Sequence, residues 1–359
     1  MGFGAAKFEL PAQPRVRLPG SFLATDAYMR FLQATHPDLH LDLQGPLPSY
    51  MAPLCFYEPL KNGWIRSCLR FLARYGSRLG APQTLFLGSP FEPYEQTAGL
   101  HQSPRSCLAY AQQRLRQRSC GLVVVTNVCA ESSHLPQWER AGFKVLPSFP
   151  DMVLNLPGTS FADFLKAKKS KVRNSILRNM RKFDDAGLRI RSISGAELKK
   201  HAHHFQRAYH HMFARAQVKW LRHTASYFEC LEQLGDHLFV EGAFDAKGRL
   251  VGFVMAFDDG DRLHGGRIGV IPTQHKKNSI YFRLIYALLE RGYQAQKKQV
   301  VLEPTSYAFK GTLGANARPM VNLVAGTTPF WRVVMFLGLK FGKMSLRHLE
   351  SPSWLKRNI

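Results

Sequence analysis

Glu303, Tyr307 and Lys310 are the residues whose types and spacing best suit chemistry. They lie in the run Val301-Leu302-Glu303-Pro304-Thr305-Ser306-Tyr307-Ala308-Phe309-Lys310-Gly311-Thr312-Leu313-Gly314-Ala315. Pro304 cannot donate to a sheet ladder, so the apolar run before it reads as a short strand ending at Glu303. A carboxylate at a strand end, followed by a turn with a phenol and an ammonium, makes a reactive edge that offers proton carriers and a cation. Glu303, Tyr307, His264 and Glu241 are candidate acid/base groups, with His264 and Glu241 placed on neighbouring strands. Lys310 is the candidate oxyanion or phosphate partner.

The elements that must position these residues are legible upstream. Leu238 to Phe244, Arg249 to Phe257 and Arg262 to Ile271 are apolar runs joined by the turns Asp245-Ala246-Lys247-Gly248 and Asp258-Asp259-Gly260-Asp261. Short glycine-containing turns between such runs predict consecutive antiparallel hairpins. Ile280, Leu284, Ala287 and Leu288 recur with helical period, which predicts a helix over 279–292 closed at Gly292. A strand over 299–302, a short helix and a last strand near 319–325 complete the order.

This order resembles the GNAT acyltransferase fold, and within it the branch of FemAB-type peptidoglycan-bridge transferases and CelD/BcsL-like putative acetyltransferases. Three segments carry the resemblance: the Tyr307-x-x-Lys310-x-x-x-Gly314 run, the basic stretch from Phe164-Leu165 to Lys182, and Ala141-Gly142-Phe143 to Leu156. With the elements between them they span about half the chain. The resemblance implies an α/β fold, a mixed, mostly antiparallel sheet flanked by helices, with two GNAT-like domains in tandem. They divide as 1–150 and 151–359, the second carrying the acyltransferase site. It also implies an N-acyltransferase with no bound cofactor, using acyl-CoA, acyl carrier protein or aminoacyl-tRNA as co-substrate.

Ordinary GNAT enzymes hold the CoA pyrophosphate on a glycine-rich loop at a helix N-terminus, where backbone N–H groups converge. The corresponding loop is Gln274-His275-Lys276-Lys277-Asn278-Ser279. Gln274, Lys276, Lys277, Asn278 and Ser279 are the candidate donor-binding residues. The missing glycines disfavour close backbone approach to a pyrophosphate. They leave room for a carrier-linked or tRNA-linked donor.

Charge points the same way. The 359 residues carry a formal net charge of +24. Residues 1–150 hold 15 Lys+Arg against 9 Asp+Glu, a balance of +6; residues 151–359 hold the remaining +18. Such a field draws polyanions: an acyl carrier protein, tRNA, a nucleotide-linked substrate or an anionic membrane surface. The predicted helix 161–186 has eight basic residues between Lys166 and Lys182 and no acid. Like charges at helical spacing repel, so an uncompensated set predicts an anionic partner. Arg66, Arg70, Arg74 and Arg78 form a second basic stripe.

The His201–His211 tract has no His-x-x-x-His spacing, and no metal site is expected. Six cysteines without a C-x-x-C pair read as free thiols. No run reaches the roughly 18 apolar residues of a membrane span, and the N-terminus has no apolar signal region. The expected location is cytoplasmic, with a peripheral place at the inner membrane face as the alternative. The rival to an enzyme is a non-catalytic GNAT-like module docking on membrane or nucleic acid.

Overall fold

Residues 22–43, 48–53, 67, 71, 83–89, 109–110, 112–113, 120–215, 222–271, 278–302, 306–333 and 335 are described in the computed structural model. Two sheets organise them. Arg66, Arg70, Arg74 and Arg78 and residues 1–20 lie outside the described residues.

In the first half of the chain, β1 (Leu41–Asp42), β2 (Ser49–Pro53), β3 (Gln83–Leu87), β4 (Leu122–Cys129) and β5 (Lys144–Pro147) build one sheet. β4 is a run of β-branched residues buried from Leu122 to Val125, as a central strand requires. A strand late in the sequence, β13 (Met320–Gly326), inserts antiparallel between β4 and β5. Leu85, Val123, Val125, Trp138, Phe143 and Leu323 are core residues of this sheet.

The second sheet holds β6 (Asp151–Asn155), β7 (Arg189–Ser192), β8 (Leu238–Phe244), β9 (Leu250–Asp259), β10 (Arg262–Val270), β11 (Gln299–Leu302) and β12 (Asn316–Arg318). Its order is β12-β6-β11-β10-β9-β8-β7. The predicted hairpins β8–β9–β10 are present and antiparallel. Asp245 Oδ1 accepts from the backbone N–H of Lys247 and Arg249 at 2.9 Å each, which closes the first turn. β10 and β11 run parallel. A parallel pair needs a crossover, supplied by the helix Ile280–Gln294. Ile280, Leu284 and Leu288 of that helix are buried, and Gly292 lets it approach Leu156 and Val300. The architecture is therefore mixed α/β, with two mostly antiparallel sheets flanked by helices, as expected.

Two segments depart from the sequence reading. β13 was expected to finish the second sheet but belongs to the first. The helix Asp26–Thr35 packs its tyrosine, Tyr28, against Phe257 of β9. The chain accordingly divides into residues 1–39, 91–94 and 150–318 on one hand, and 40–90, 95–149 and 319–359 on the other. A single cut at 150 does not describe this exchange of segments. The predicted continuous helix 161–186 is also two helices, Phe161–Lys166 and Ser170–Asp185.

Helix Ala196–Arg215 crosses the second sheet over Gly269. A Cβ at Gly269 would lie 2.4 Å from the Phe253 ring and 2.9 Å from the Ala208 backbone. Because backbone cannot swing aside as a side chain can, Gly269→Ala is expected to lower stability by about 2 kcal/mol or more. Denaturant midpoints of mutant and parent check this; equal midpoints would show that the helix yields freely.

Candidate functional site

The second sheet opens where its two parallel strands part. β10 pairs with β11 at Arg262↔Gln299, Leu263↔Val300 and His264↔Val301. β11 ends at Leu302, whereas β10 continues to Val270. Against β9, the β10 register shifts between Gly265 and Ile268, a bulge that bends the strand at this point. Glu303 follows β11 directly but lies outside the described residues, as do Gln274, Lys276 and Lys277.

Past the end of β11, Ser306 takes a left-handed conformation, φ 51°, and opens the short helix Tyr307–Thr312. Phe309 anchors this helix to the crossover helix, with ring centroids 4.8 Å from Phe282 and 6.3 Å from Tyr286. Tyr281 Oη donates to Ser306 Oγ at 3.3 Å. The helix carries Tyr307, half-buried, and Lys310, only 3% exposed. A lysine this deeply enclosed is rare, because desolvating an ammonium is expensive unless an anionic or polar group receives it.

His264 is the last β10 residue paired with β11 and is 3% exposed. Its Nε2 is buried with no hydrogen-bond partner. Burial lowers its pKa to about 3, helped by the charges of Arg262, Arg318 and Arg267. At neutral pH it is an uncharged imidazole and only a weak base.

Glu241 is not part of this arrangement. It sits on β8, which β9 separates from β10. His264 is in register with Phe257 and Leu238, and Glu241 lies three residues beyond Leu238. An odd offset along a strand places the two side chains on opposite faces. On its own face Glu241 pairs with Arg291 at 2.6 Å and accepts from Ser192 Oγ at 3.0 Å. It ties the β7–β8 edge to the crossover helix.

The donor-loop candidates Asn278 and Ser279 stand at the start of the crossover helix. Ser279 is its left-handed N-cap, φ 57°, and its side chain makes no capping bond. Instead Ser279 Oγ donates to Asn179 Oδ1 at 3.2 Å, and Asn179 Nδ2 donates to Tyr286 Oη at 3.2 Å. Asn179 belongs to the basic helix Ser170–Asp185. Sequence reasoning passed over Asn179, because an asparagine inside a helix shows no signal until its partners, a hundred residues away, are known.

The basic helix keeps its charges uncompensated. Of the eight cations from Lys166 to Lys182, Lys166 alone meets a carboxylate, Asp163 at 3.9 Å, among the described residues. Lys169, Lys171, Arg178, Arg181 and Lys182 are exposed. Lys168 is half-buried, its Nζ 4.2 Å from the centre of the Phe164 ring. Burial depresses its pKa.

Among the described residues, no group of three His, Cys, Asp or Glu is placed to hold a metal ion, and no helix is long and apolar enough to cross a membrane. In the histidine tract, His201 Nε2 lies 3.7 Å from Glu197 on the same helix.

A family model named FemAB-like, described as peptidoglycan biosynthesis/recognition, matches residues 101–295. No curated protein matches the chain. Among solved structures, L-PGS from Bacillus licheniformis is similar over 76% of this chain and 95% of its own, at 9% identity and a TM-score of 0.50. A conserved protein of unknown function from Bacteroides thetaiotaomicron is similar over 83% and 88%, at 8% identity and a TM-score of 0.50. FemX is similar over 70% and 86%, at 10% identity and a TM-score of 0.48. At these identities the likeness is one of fold.

Proposed function

The chain belongs to the FemAB-like family, a family of transferases, and on that premise we propose that it moves an aminoacyl or acyl group from a polyanionic donor, foremost an aminoacyl-tRNA, onto an amine. The observation that carries this reading is the Asn179 junction. It fastens the uncompensated basic helix to Ser279, the last residue of the candidate donor loop. A 16-residue helix spans about 24 Å, long enough for several successive phosphates of one nucleic-acid strand. A small thioester exploits less of that length.

In this reading the amine attacks the donor ester carbon at the end of β11. The amine nitrogen forms the new bond, the carbonyl π pair moves to oxygen, and the Lys310 ammonium receives the oxyanion. Glu303 or Tyr307, close to Lys310 in sequence, accepts the amine proton. Collapse of the intermediate expels the alkoxide of the donor, which takes that proton back. Lys276 and Lys277 extend the phosphate-binding surface.

The test is charge reversal on the exposed face. Lys169→Glu, Lys171→Glu and Arg178→Glu together are expected to weaken binding of aminoacyl-tRNA at least tenfold at low salt. They should also flatten the slope of log affinity against log salt by about 2, since each phosphate contact contributes about 0.7–0.9. Fluorescence anisotropy measures both, with acyl-CoA and anionic vesicles as parallel arms. Affinity for tRNA that ignores salt and charge reversal alike would refute the polyanionic donor.

A further inference from the structure

The chain leaves the first sheet through a helical turn whose outward side is apolar. β13 ends at Gly326, and residues 329–333 are helical. Pro329 suits a first helical position, and Thr328 caps the turn, its Oγ1 accepting from the backbone N–H of Trp331 at 3.3 Å. Two glycines bring this turn close against the sheet. A Cβ at Gly121 would lie 2.4 Å from the Trp331 ring, and a Cβ at Gly326 would lie 2.6 Å from the backbone nitrogen of Arg332. Thr327 Oγ1 donates to the Gly121 carbonyl oxygen at 2.7 Å, and Arg332 Nε donates to the Gly326 carbonyl oxygen at 3.3 Å. The inward side therefore carries Trp331, and Met335 four residues on is buried.

The same packing turns Phe330 and Val333, three apart, outward; they are 56% and 58% exposed. Single exposed apolar residues are ordinary, but two on one helical side, held there by the packing of their neighbours, make a surface. The charge around it in sequence has one sign. From residue 319 to residue 349 the chain holds Arg332, Lys340, Lys343 and Arg347 and no Asp or Glu. Arg332 is exposed and meets no carboxylate among the described residues. The same acid-free stretch adds Phe336, Leu337, Leu339 and Phe341. Aromatic and aliphatic side chains among cations, without acids, are the composition that partitions into the headgroup boundary of an anionic bilayer. The rings and methyl groups leave water there while the cations meet lipid phosphates. A nucleic acid would use the cations and stack on a ring, but it offers nothing to Val333.

We propose that the side carrying Phe330, Val333 and Arg332 is a membrane-docking surface whose partner is the headgroup layer of a bilayer containing anionic phospholipid. Phe330 and Val333 enter the boundary between headgroups and acyl chains, and Arg332 stays at the phosphates. The surface belongs to the unit that contains residues 319–359, whereas the basic helix Ser170–Asp185 belongs to the other. Vesicle binding is read without tRNA or turnover, so its failure would leave the proposed transfer reaction untouched.

The experiment is flotation of the full chain with phosphatidylcholine vesicles, with and without phosphatidylglycerol. The parent should float with the anionic vesicles and bind the neutral ones about tenfold more weakly or less. Phe330→Ser with Val333→Ser should cut anionic binding by about tenfold or more, because two apolar side chains no longer leave water. Phe330→Leu should bind like the parent, and equal thermal midpoints show that the serine variant is folded. Arg332→Gln should weaken binding about fivefold at low salt and much less at high salt, and Arg332→Lys should restore it. In Phe330→Trp, bromine on the lipid acyl chains should quench the added fluorescence. A parent that floats with neither vesicle would overturn the proposal. A loss that follows Lys169→Glu, Lys171→Glu and Arg178→Glu but not the double serine change would place docking on the basic helix and overturn this surface. So would a lipid-free dimer, seen by sedimentation, that the double serine change dissociates, because a second copy would then be the occupant.

Discussion

Replacing Lys310 by Met is expected to slow transfer by about 100- to 1,000-fold, the loss of about 3–4 kcal/mol seen when a single oxyanion donor is removed from an enclosed site. Methionine keeps most of the side-chain length, so the helix Tyr307–Thr312 retains its packing through Phe309 on Phe282 and Tyr286. The effect should therefore appear in the transfer step with stability nearly unchanged. Single-turnover transfer of label from an aminoacyl-tRNA pool or an acyl-CoA panel is the measurement, with thermal unfolding alongside. Lys310→Arg should recover part of the rate, because it restores charge in a different shape. A Lys310→Met protein that transfers at the parent rate would make Lys310 a packing residue and move the site elsewhere.

The second large effect is on stability in mild acid. His36, His223 and His264 are all buried neutral. Burial sets the folded pKa of His36 at about 4 and of His264 at about 3, and puts that of His223 well below its ordinary value. In the unfolded chain each returns to about 6.5. A depressed histidine pKa means that the unfolded state binds more protons below pH 6.5. The stabilisation is fully present above that pH and is lost as pH falls toward 4 and 3. At pH 5 His36 and His264 each withhold about 1.5 pKa units, about 2 kcal/mol, together about 4 kcal/mol, and His223 acts in the same direction. That is a large fraction of the whole stability of an ordinary domain.

The segment built from residues 22–39 and 150–318 should therefore lose its tertiary structure cooperatively between about pH 6 and pH 4. Near-UV circular dichroism against pH follows it. His264→Leu removes one of the three groups without breaking a hydrogen bond, since Nε2 makes none. It should move the acid midpoint downward. A near-UV signal that is flat to pH 4 would show that these rings admit protons without unfolding.

Apart from the break that splits the basic helix at 167–169, the elements set by near neighbours were legible in the residues themselves. The period of Ile280, Leu284 and Leu288 marked the crossover helix, and the turns at Asp245–Gly248 and Asp258–Asp261 marked the three hairpin strands. Gln299–Leu302 appeared as a strand with the predicted bounds. The uncompensated charge of 166–182 was legible for the same reason: no acid occurs inside the window. Pairing across distance was not legible and came from the folded chain. Hydrophobic pattern says that a strand is buried but not against which neighbour, so β13 could join the first sheet although its sequence position suggested the second. Alternation says that Glu241 and His264 each face one side, but only the register through β9 shows that the sides are opposite. Side-chain hydrogen bonds such as His36 to His223, 187 residues apart, and Asn179 to Ser279, 100 apart, leave no periodic trace. They arise because folding buries polar groups that must then find partners, and the partner is whichever group the packed sheet and helices bring within about 3 Å.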